Sequence, residues 1–169
     1  MRVGLLADTH DRVPAVAALA RRLADEGAEI LLHAGDFCSP FILDALHAVS
    51  LPIVGVFGRN DGDRDGLIAA AQRGLATELF VGPHNLVLEG KSILLVHDLG
   101  EAVDRSLEAH DVVVFGCQHR QESKTRGDAL LVCPGEGCGW LYGTPGAALL
   151  DLPSREVDFI SLSGPAWAT

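Results

Sequence analysis

Five short apolar runs in this chain each stop at a side chain able to bind a proton or a cation, and that repetition constrains the fold more than any other feature. MRVGLLA leads into Asp8 and His10, EILLHAG into Asp36, LPIVGVFG into Asn60 and Asp61, SILLV into His97, and VVVFG into Cys117 and His119. Short aliphatic and β-branched runs bounded by Gly, Asp and Asn predict buried strands. Between the first of them the period changes. Pro14 followed by Val16, Leu19, Ala20 and Leu23, and then the stretch 41–49, predict helices with one apolar face. Strands alternating with helices predict a parallel α/β sheet. The second half differs: HNLVLEGKSILLVHD breaks at Glu89-Gly90 like a hairpin, and VVVFG, ALLVCPG, AALLDL and VDFISL follow with little helix between them. These predict a second, largely antiparallel sheet. The expected fold is α/β, a two-sheet β-sandwich flanked by helices on both sides (four-layer αββα), with residues 1–169 as a single domain.

Composition narrows the function classes. Acidic residues outnumber basic ones 23 to 13, giving a formal charge of −10 that disfavours nonspecific nucleic-acid binding. No apolar stretch approaches the ~20 residues of a membrane span. The opening MRVGLLADTHD meets charge at Asp8 and has no small-residue cleavage site, so no signal peptide is expected and the cytoplasm is the expected compartment. Cys38, Cys117, Cys133 and Cys138 are too scattered for a disulfide framework and read as reduced thiols. Homo-oligomerisation is left open.

The strand ends carry the chemistry. In open α/β sheets ligands bind at the carboxyl ends of strands, and Asp, His and Cys are the side chains that donate to divalent cations. Singly, each residue has a plainer role. An Asp after a strand commonly caps the next helix, a buried His is often just hydrogen-bonded, and a Cys packs as a small hydrophobe. Their recurrence at successive strand ends argues for a metal site. Cys133 and Cys138 frame PGEG as one isolated pair, which reads as a tight loop. His33, His47, His84 and His110 belong to no motif and read as surface or satisfied core positions.

D-x-H at Asp8–His10, G-D at Gly35–Asp36, G-x-N-D at Gly58–Asp61, V-H at Val96–His97 and G-x-x-H at Gly116–His119 resemble the ordered motifs of the calcineurin-like metallophosphoesterases. GDFCSP, DGDRDG and PGEGCGWLYG resemble connecting segments of that family's small bacterial and archaeal phosphodiesterase branch. The resemblance implies a metal-dependent phosphoesterase that hydrolyses a small phosphate ester, a phosphodiester above all, with a metal-activated water. It implies one or two divalent ions of manganese, zinc, iron or nickel. By position, Asp8, His10 and His119 would hold the first metal, Asp36 would bridge, and His97, an asparagine and a histidine would complete the second site.

Two departures touch that second site. The family's G-H-T-H turn is GCQH here, so Cys117 stands where a histidine would. In Gly58-Arg59-Asn60-Asp61, where the family commonly writes G-N-x-D, an ungapped alignment gives Arg59 the asparagine's place and leaves Asn60 one position late. A guanidinium cannot bind a cation, but it supplies fixed charge and a fork that fits phosphate oxygens. The expected catalytic residues are Asp36, Asn60, Arg59 and His97. The expected metal ligands are Asp8, His10, Asp36, His97, Cys117 and His119, with the second site degenerate. Asp98, where the family prefers glycine, is expected to crowd the site or to hold His97. The family includes the metal-poor scaffold subunit of the retromer coat, so a catalytically weak or inactive protein-binding scaffold on the same fold is the alternative.

Overall fold

Period-two alternation sends the side chains of the central strands into two different apolar layers, and that alternation builds the architecture. The computed structural model describes residues 1–164. In chain order its first half contains β1 (Arg2–Leu6), α1 (Val13–Asp25), β2 (Ile30–His33), α2 (Phe41–His47), β3 (Ile53–Val56), α3 (Arg64–Ala71) and β4 (Thr77–Phe80). The second half contains β5 (His84–Leu88), β6 (Lys91–Val96), α4 (Asp104–Glu108), β7 (Val112–Phe115), β8 (Gln121–Arg126), β9 (Ala129–Pro134), β10 (Gly146–Asp151) and β11 (Glu156–Ser161).

Val3 and Leu5 of β1, Leu32 of β2, Ile93 and Leu95 of β6, Val112 and Val114 of β7, and Val132 of β9 share one buried layer between the two sheets. Their sequence neighbours point the other way. Leu6, Leu31 and Ile53 pack beneath α1, α2 and α3 through Val16, Leu19, Leu23, Ile42, Leu46 and Leu67. Leu94, Val96, Val113, Phe115 and Leu131 pack on the far side against Leu107 of α4. Three apolar layers separate four layers of structure, the αββα sandwich. Truncating a fully buried residue such as Leu5 to Ala in such a core costs about 2–5 kcal/mol.

The six-stranded sheet runs β11-β10-β1-β2-β3-β4 and the five-stranded sheet β5-β6-β7-β9-β8. Two expectations need correction. AALLDL and VDFISL become β10 and β11 of the first sheet, where Val3 of β1 pairs antiparallel with Leu150. The second sheet is mixed: β6–β7 and β7–β9 are parallel, while β5–β6 and β8–β9 are antiparallel. The cause lies in the connections. A chain leaving β6 through α4 re-enters the sheet in the same direction, whereas the short links at Glu89-Gly90 and Gly127-Asp128 reverse it.

Register decides where the strand ends fall. Leu6 of β1 lies beside His33 of β2, and Val96 of β6 beside Phe115 of β7, so in each sheet neighbouring strands stop level. His97 Nδ1 meets Ala34 O at 2.8 Å across the sandwich, which brings both sets of ends to one rim. Among the described residues, no helix is long and apolar enough to cross a membrane.

Candidate metal centre

The rim is built on unusual backbone. Asp8 (φ 50), His10 (φ 39), Asp36 (φ 60), Cys38 (φ 75), Cys117 (φ 67) and His119 (φ 60) all occupy the left-handed region. Each costs a non-glycine residue about 1–2 kcal/mol, so surrounding bonds must hold them. Asp8 N donates to Gly35 O at 3.0 Å, Thr9 N and His10 N both donate to Asp36 O, and Cys138 N donates to Asp8 O. Two glycines permit the close approach. A Cβ on Gly58 would stand 2.2 Å from Asp36 Oδ1, and one on Gly35 (φ +93) 2.7 Å from His97 Nδ1.

These turns bring Asp8, His10, Asp36, His97 and His119 together. His119 Nε2 lies 3.6 Å from Asp8 Oδ1, His10 Nε2 3.4 Å from Asp36 Oδ2, and His97 Nε2 3.6 Å from the same Asp36 oxygen. The rings of His10 and His119 stack with centroids 5.4 Å apart. Among the described residues three overlapping donor sets result, Asp8–His10–His119, Asp8–Asp36–His97 and, sharing His119, His119–Glu136–Cys138. With bonds of ~2.1 Å to a cation, neighbouring ligand atoms stand roughly 3.0–3.4 Å apart, so the observed spacings are a slightly open ligand shell. His10 Nε2 is buried and, among the described residues, has no hydrogen-bond partner. A buried polar atom left unpaired is costly, and a cation between it and Asp36 would satisfy it. The donors therefore fit a divalent metal.

Each imidazole is aimed by its other nitrogen. His97 Nδ1 donates to Ala34 O, His119 Nδ1 donates to Glu136 Oε2 at 2.9 Å, and His10 Nδ1 meets Cys38 Sγ at 3.3 Å. All three Nε2 atoms are left facing the carboxylates, the arrangement in which ring orientation and tautomer suit a metal. Charge follows the same geometry. Burial pushes the Asp8 carboxyl up to about 6, against the opposing pull of His119 and His97. Burial works on Asp36 too, but donation from Asn60 N and Nδ2 and the nearby imidazoles outweigh it and hold its pKa low. Burial lowers His10 as well. Cys38 is pushed up to about 12 by burial, with Asp11, Asp36 and Asp61 adding to it.

Asn60 and Arg59 sit differently from the ungapped reading. Asn60 N and Nδ2 donate to the two oxygens of Asp36 at 2.8 and 2.7 Å. Arg59 turns outward, 61% exposed at its side chain, and pairs with Asp98. The turn explains the exchange. The Asp61 carboxylate accepts Gly58 N at 2.6 Å, Cys38 N at 2.7 Å and Asp36 N at 3.2 Å, drawing the loop in so that Asn60 lands on Asp36. Asp98 does not hold His97, whose Nδ1 is taken by Ala34 O. It caps Gly100 N at 2.8 Å instead. Cys117 N donates to Asp8 Oδ2 at 3.0 Å, while its thiol lies 3.9 Å from Asp98 Oδ2. Burial raises that thiol's pKa even with Arg59 nearby.

Three supporting residues lie outside the expected catalytic and metal-ligand set. Asp61 organises the loop as described. Glu136, 2% exposed, orients His119 and also accepts Leu141 N at 3.0 Å and Tyr142 N at 2.6 Å. His33, fully buried, accepts Gly35 N at its Nδ1 and meets Thr9 Oγ1 at its Nε2, and burial drops it to about 3. The glutamate in PGEG was visible as a tight loop; its contact with His119, 17 residues away, was not.

Carboxylates and imidazoles converging at the strand ends of a four-layer sandwich define a metal-dependent hydrolase fold. The chain belongs to the calcineurin-like phosphoesterase superfamily, whose domain model matches residues 1–155. It is 29% identical over 172 residues to phosphodiesterase MJ0936 of Methanocaldococcus jannaschii, covering 92% of this chain and 96% of that one. Its fold matches the solved structure of an archaeal phosphodiesterase with a TM-score of 0.83 and 26% identity, over 96% of this chain and 100% of the other. It also matches Yfce, a phosphoesterase from E. coli, with a TM-score of 0.71 and 20% identity, over 96% and 100%.

Proposed function

We propose that this chain is a metal-dependent phosphodiesterase acting on a small phosphate ester, with Asp8, His10, Asp36 and His119 as the principal cation ligands. The observation that carries the reading is the buried, unpartnered Nε2 of His10 facing Asp36. A divalent cation there supplies Lewis-acid polarisation of the phosphoryl oxygen and makes water nucleophilic at neutral pH. The chain's own groups do the rest. Asp36, facing both His10 and His97, is the carboxylate able to serve two ion positions. With its amide turned over, Asn60 would present its oxygen toward the ion in place of the Nδ2 that donates to Asp36. Arg59, at the mouth with Asp98, offers fixed positive charge to the incoming phosphodiester. In the net reaction water adds to phosphorus, the ester P–O bond breaks, and an alcohol and a phosphate monoester leave.

For the second position we read Asp8, Asp36 and His97 as the donor set, with Cys117 outside it, its thiol 3.9 Å from Asp98 Oδ2. Because burial keeps that thiol protonated, we read it as the weaker site, so that one ion binds tightly. Mixed imidazole and carboxylate donors suit manganese, zinc, iron or nickel. The apolar layer shared by the two sheets supports one domain over the described residues 1–164, the last five of the expected 1–169 lying outside them, and four free thiols support a reducing, cytoplasmic setting. The five convergent donors favour hydrolysis over the scaffold alternative. The test is elemental analysis together with turnover of an aryl phosphodiester by chelator-treated chain before and after manganese is restored. One tightly bound ion per chain and metal-dependent turnover are expected. Stoichiometric metal without turnover would overturn the enzymatic reading.

A further inference from the structure

Trp140, Leu141 and Tyr142 are consecutive, 60%, 67% and 51% exposed, and lie beside the candidate metal centre. Trp140 and Leu141 line an open groove of about 540 Å³ whose other walls are His10 and His119, within the roughly 300–1,000 Å³ typical of small-molecule sites. The indole is held in place: its Nε1 donates to His10 O at 3.4 Å, and the Arg12 guanidinium sits 4.4 Å from the ring centroid. The backbone beneath it is held too. Glu136 accepts Leu141 N and Tyr142 N, and Arg12 donates to Cys138 O at 2.6 Å. Large apolar side chains exposed on a pinned backbone are a preorganised surface.

We propose that Trp140 and Leu141 form a stacking subsite for the nucleobase of a nucleotide-type phosphodiester whose phosphate lies at the metal centre. The proposal rests on the phosphodiesterase reading for where the phosphate sits. Charge supports a phosphate-bearing occupant: in a chain of net −10, the Arg12 guanidinium lies over Trp140. Geometry supports a flat one. The groove sets the indole, a face on which any base can stack, beside Leu141 and the mutually stacked imidazoles of His10 and His119. The same net charge disfavours a nucleic-acid polymer, which leaves a nucleotide or short dinucleotide.

The test compares adenosine monophosphate with ribose 5-phosphate, which has the phosphate and sugar without the base, as ligands of the manganese-loaded chain in calorimetry. Adenosine monophosphate is expected to bind about five- to 150-fold tighter, the span of base–aromatic stacking. Trp140→Ala is expected to bring it down to the ribose 5-phosphate affinity, and Trp140→Phe to keep most of the difference. Equal affinities in the unmodified chain would overturn the subsite, and need no variant to fold. So would a preference that survives Trp140→Ala. Equal affinities with a concentration-dependent dimer that Trp140→Ala dissolves would give the patch to a second copy of the chain instead. Turnover of an aryl phosphodiester, measured in parallel, separates the two claims. Turnover with equal affinities removes only the subsite, while base preference without turnover removes only the phosphodiesterase reading.

Discussion

Glu136→Gln changes one oxygen to nitrogen in a carboxylate that is 2% exposed, and the geometry leaves the amide no satisfactory orientation. Oε2 accepts both His119 Nδ1 at 2.9 Å and Leu141 N at 3.0 Å, and Oε1 accepts Tyr142 N at 2.6 Å. With the amide oxygen in the Oε2 position, its NH2 faces the Tyr142 N–H. With the oxygen in the other position, NH2 faces two donors, unless His119 moves its proton to Nε2. That tautomer closes the nitrogen facing Asp8 Oδ1 and removes it as a ligand. At least one buried donor loses its acceptor, a cost of about 1–3 kcal/mol in folding stability. Burial alone would raise the Glu136 carboxyl, but the Tyr142 and Leu141 amides and His119 hold it low, so the native group is the anion and a full charge is lost as well. Removing such an outer partner of a metal ligand costs about 10–100-fold in affinity, or roughly 1.4–2.7 kcal/mol. The urea midpoint at constant m reads the stability cost, and calorimetric titration of manganese into the chelator-treated variant reads the loss of metal affinity. A normal metal affinity in a folded, destabilised variant would refute the orienting role and leave Glu136 as a loop anchor.

Asp36→Asn is expected to abolish most metal binding, read by elemental analysis, because it removes charge between His10 and His97; full occupancy would make Asp36 a mere loop residue. Arg59→Asn should leave metal stoichiometry unchanged, since Asn60 already lies on Asp36, whereas Cys117→His should raise it toward two ions per chain. The same elemental analysis would reverse that assignment if Arg59→Asn alone added an ion. Acid stability of the metal-free chain offers a fourth measurement. His33 falls from 6.5 to about 3 on folding, so between those values the unfolded chain takes up its proton first and stability drops as pH falls, by at most about 1.4 kcal/mol per unit. Asp8 rises from 3.8 to about 6, so the folded chain takes up that proton first and offsets the loss between pH 6 and 3.8. Asp8→Asn is expected to steepen the decline in that window in urea titrations, and an unchanged slope would count against Asp8 as a buried, raised carboxyl.

What the sequence determined by itself is local in its physics. Period-two apolar runs that stop at Asp, His, Asn or Cys make strands with polar ends, and strands that alternate with helices run parallel, so the ends of β1, β2 and β3 had to share an edge. Asp8, His10 and Asp36 were legible for that reason, whereas His97 and His119 follow β6 and β7 of the other sheet, whose parallel pairing brings their ends level and was decided by the packed structure. Sheet membership was not legible, because AALLDL alternates in the same way whichever sheet it joins; pairing of Val3 with Leu150 decided it. Nor was the choice between Arg59 and Asn60, since a one-residue placement in a turn depends on the three amides gathered by Asp61. Glu136 had no periodicity to announce it. A carboxylate becomes an orienting group only when the chain brings His119, Leu141 and Tyr142 around it, and its burial there, which strengthens each of those bonds, is a property of the packed structure alone.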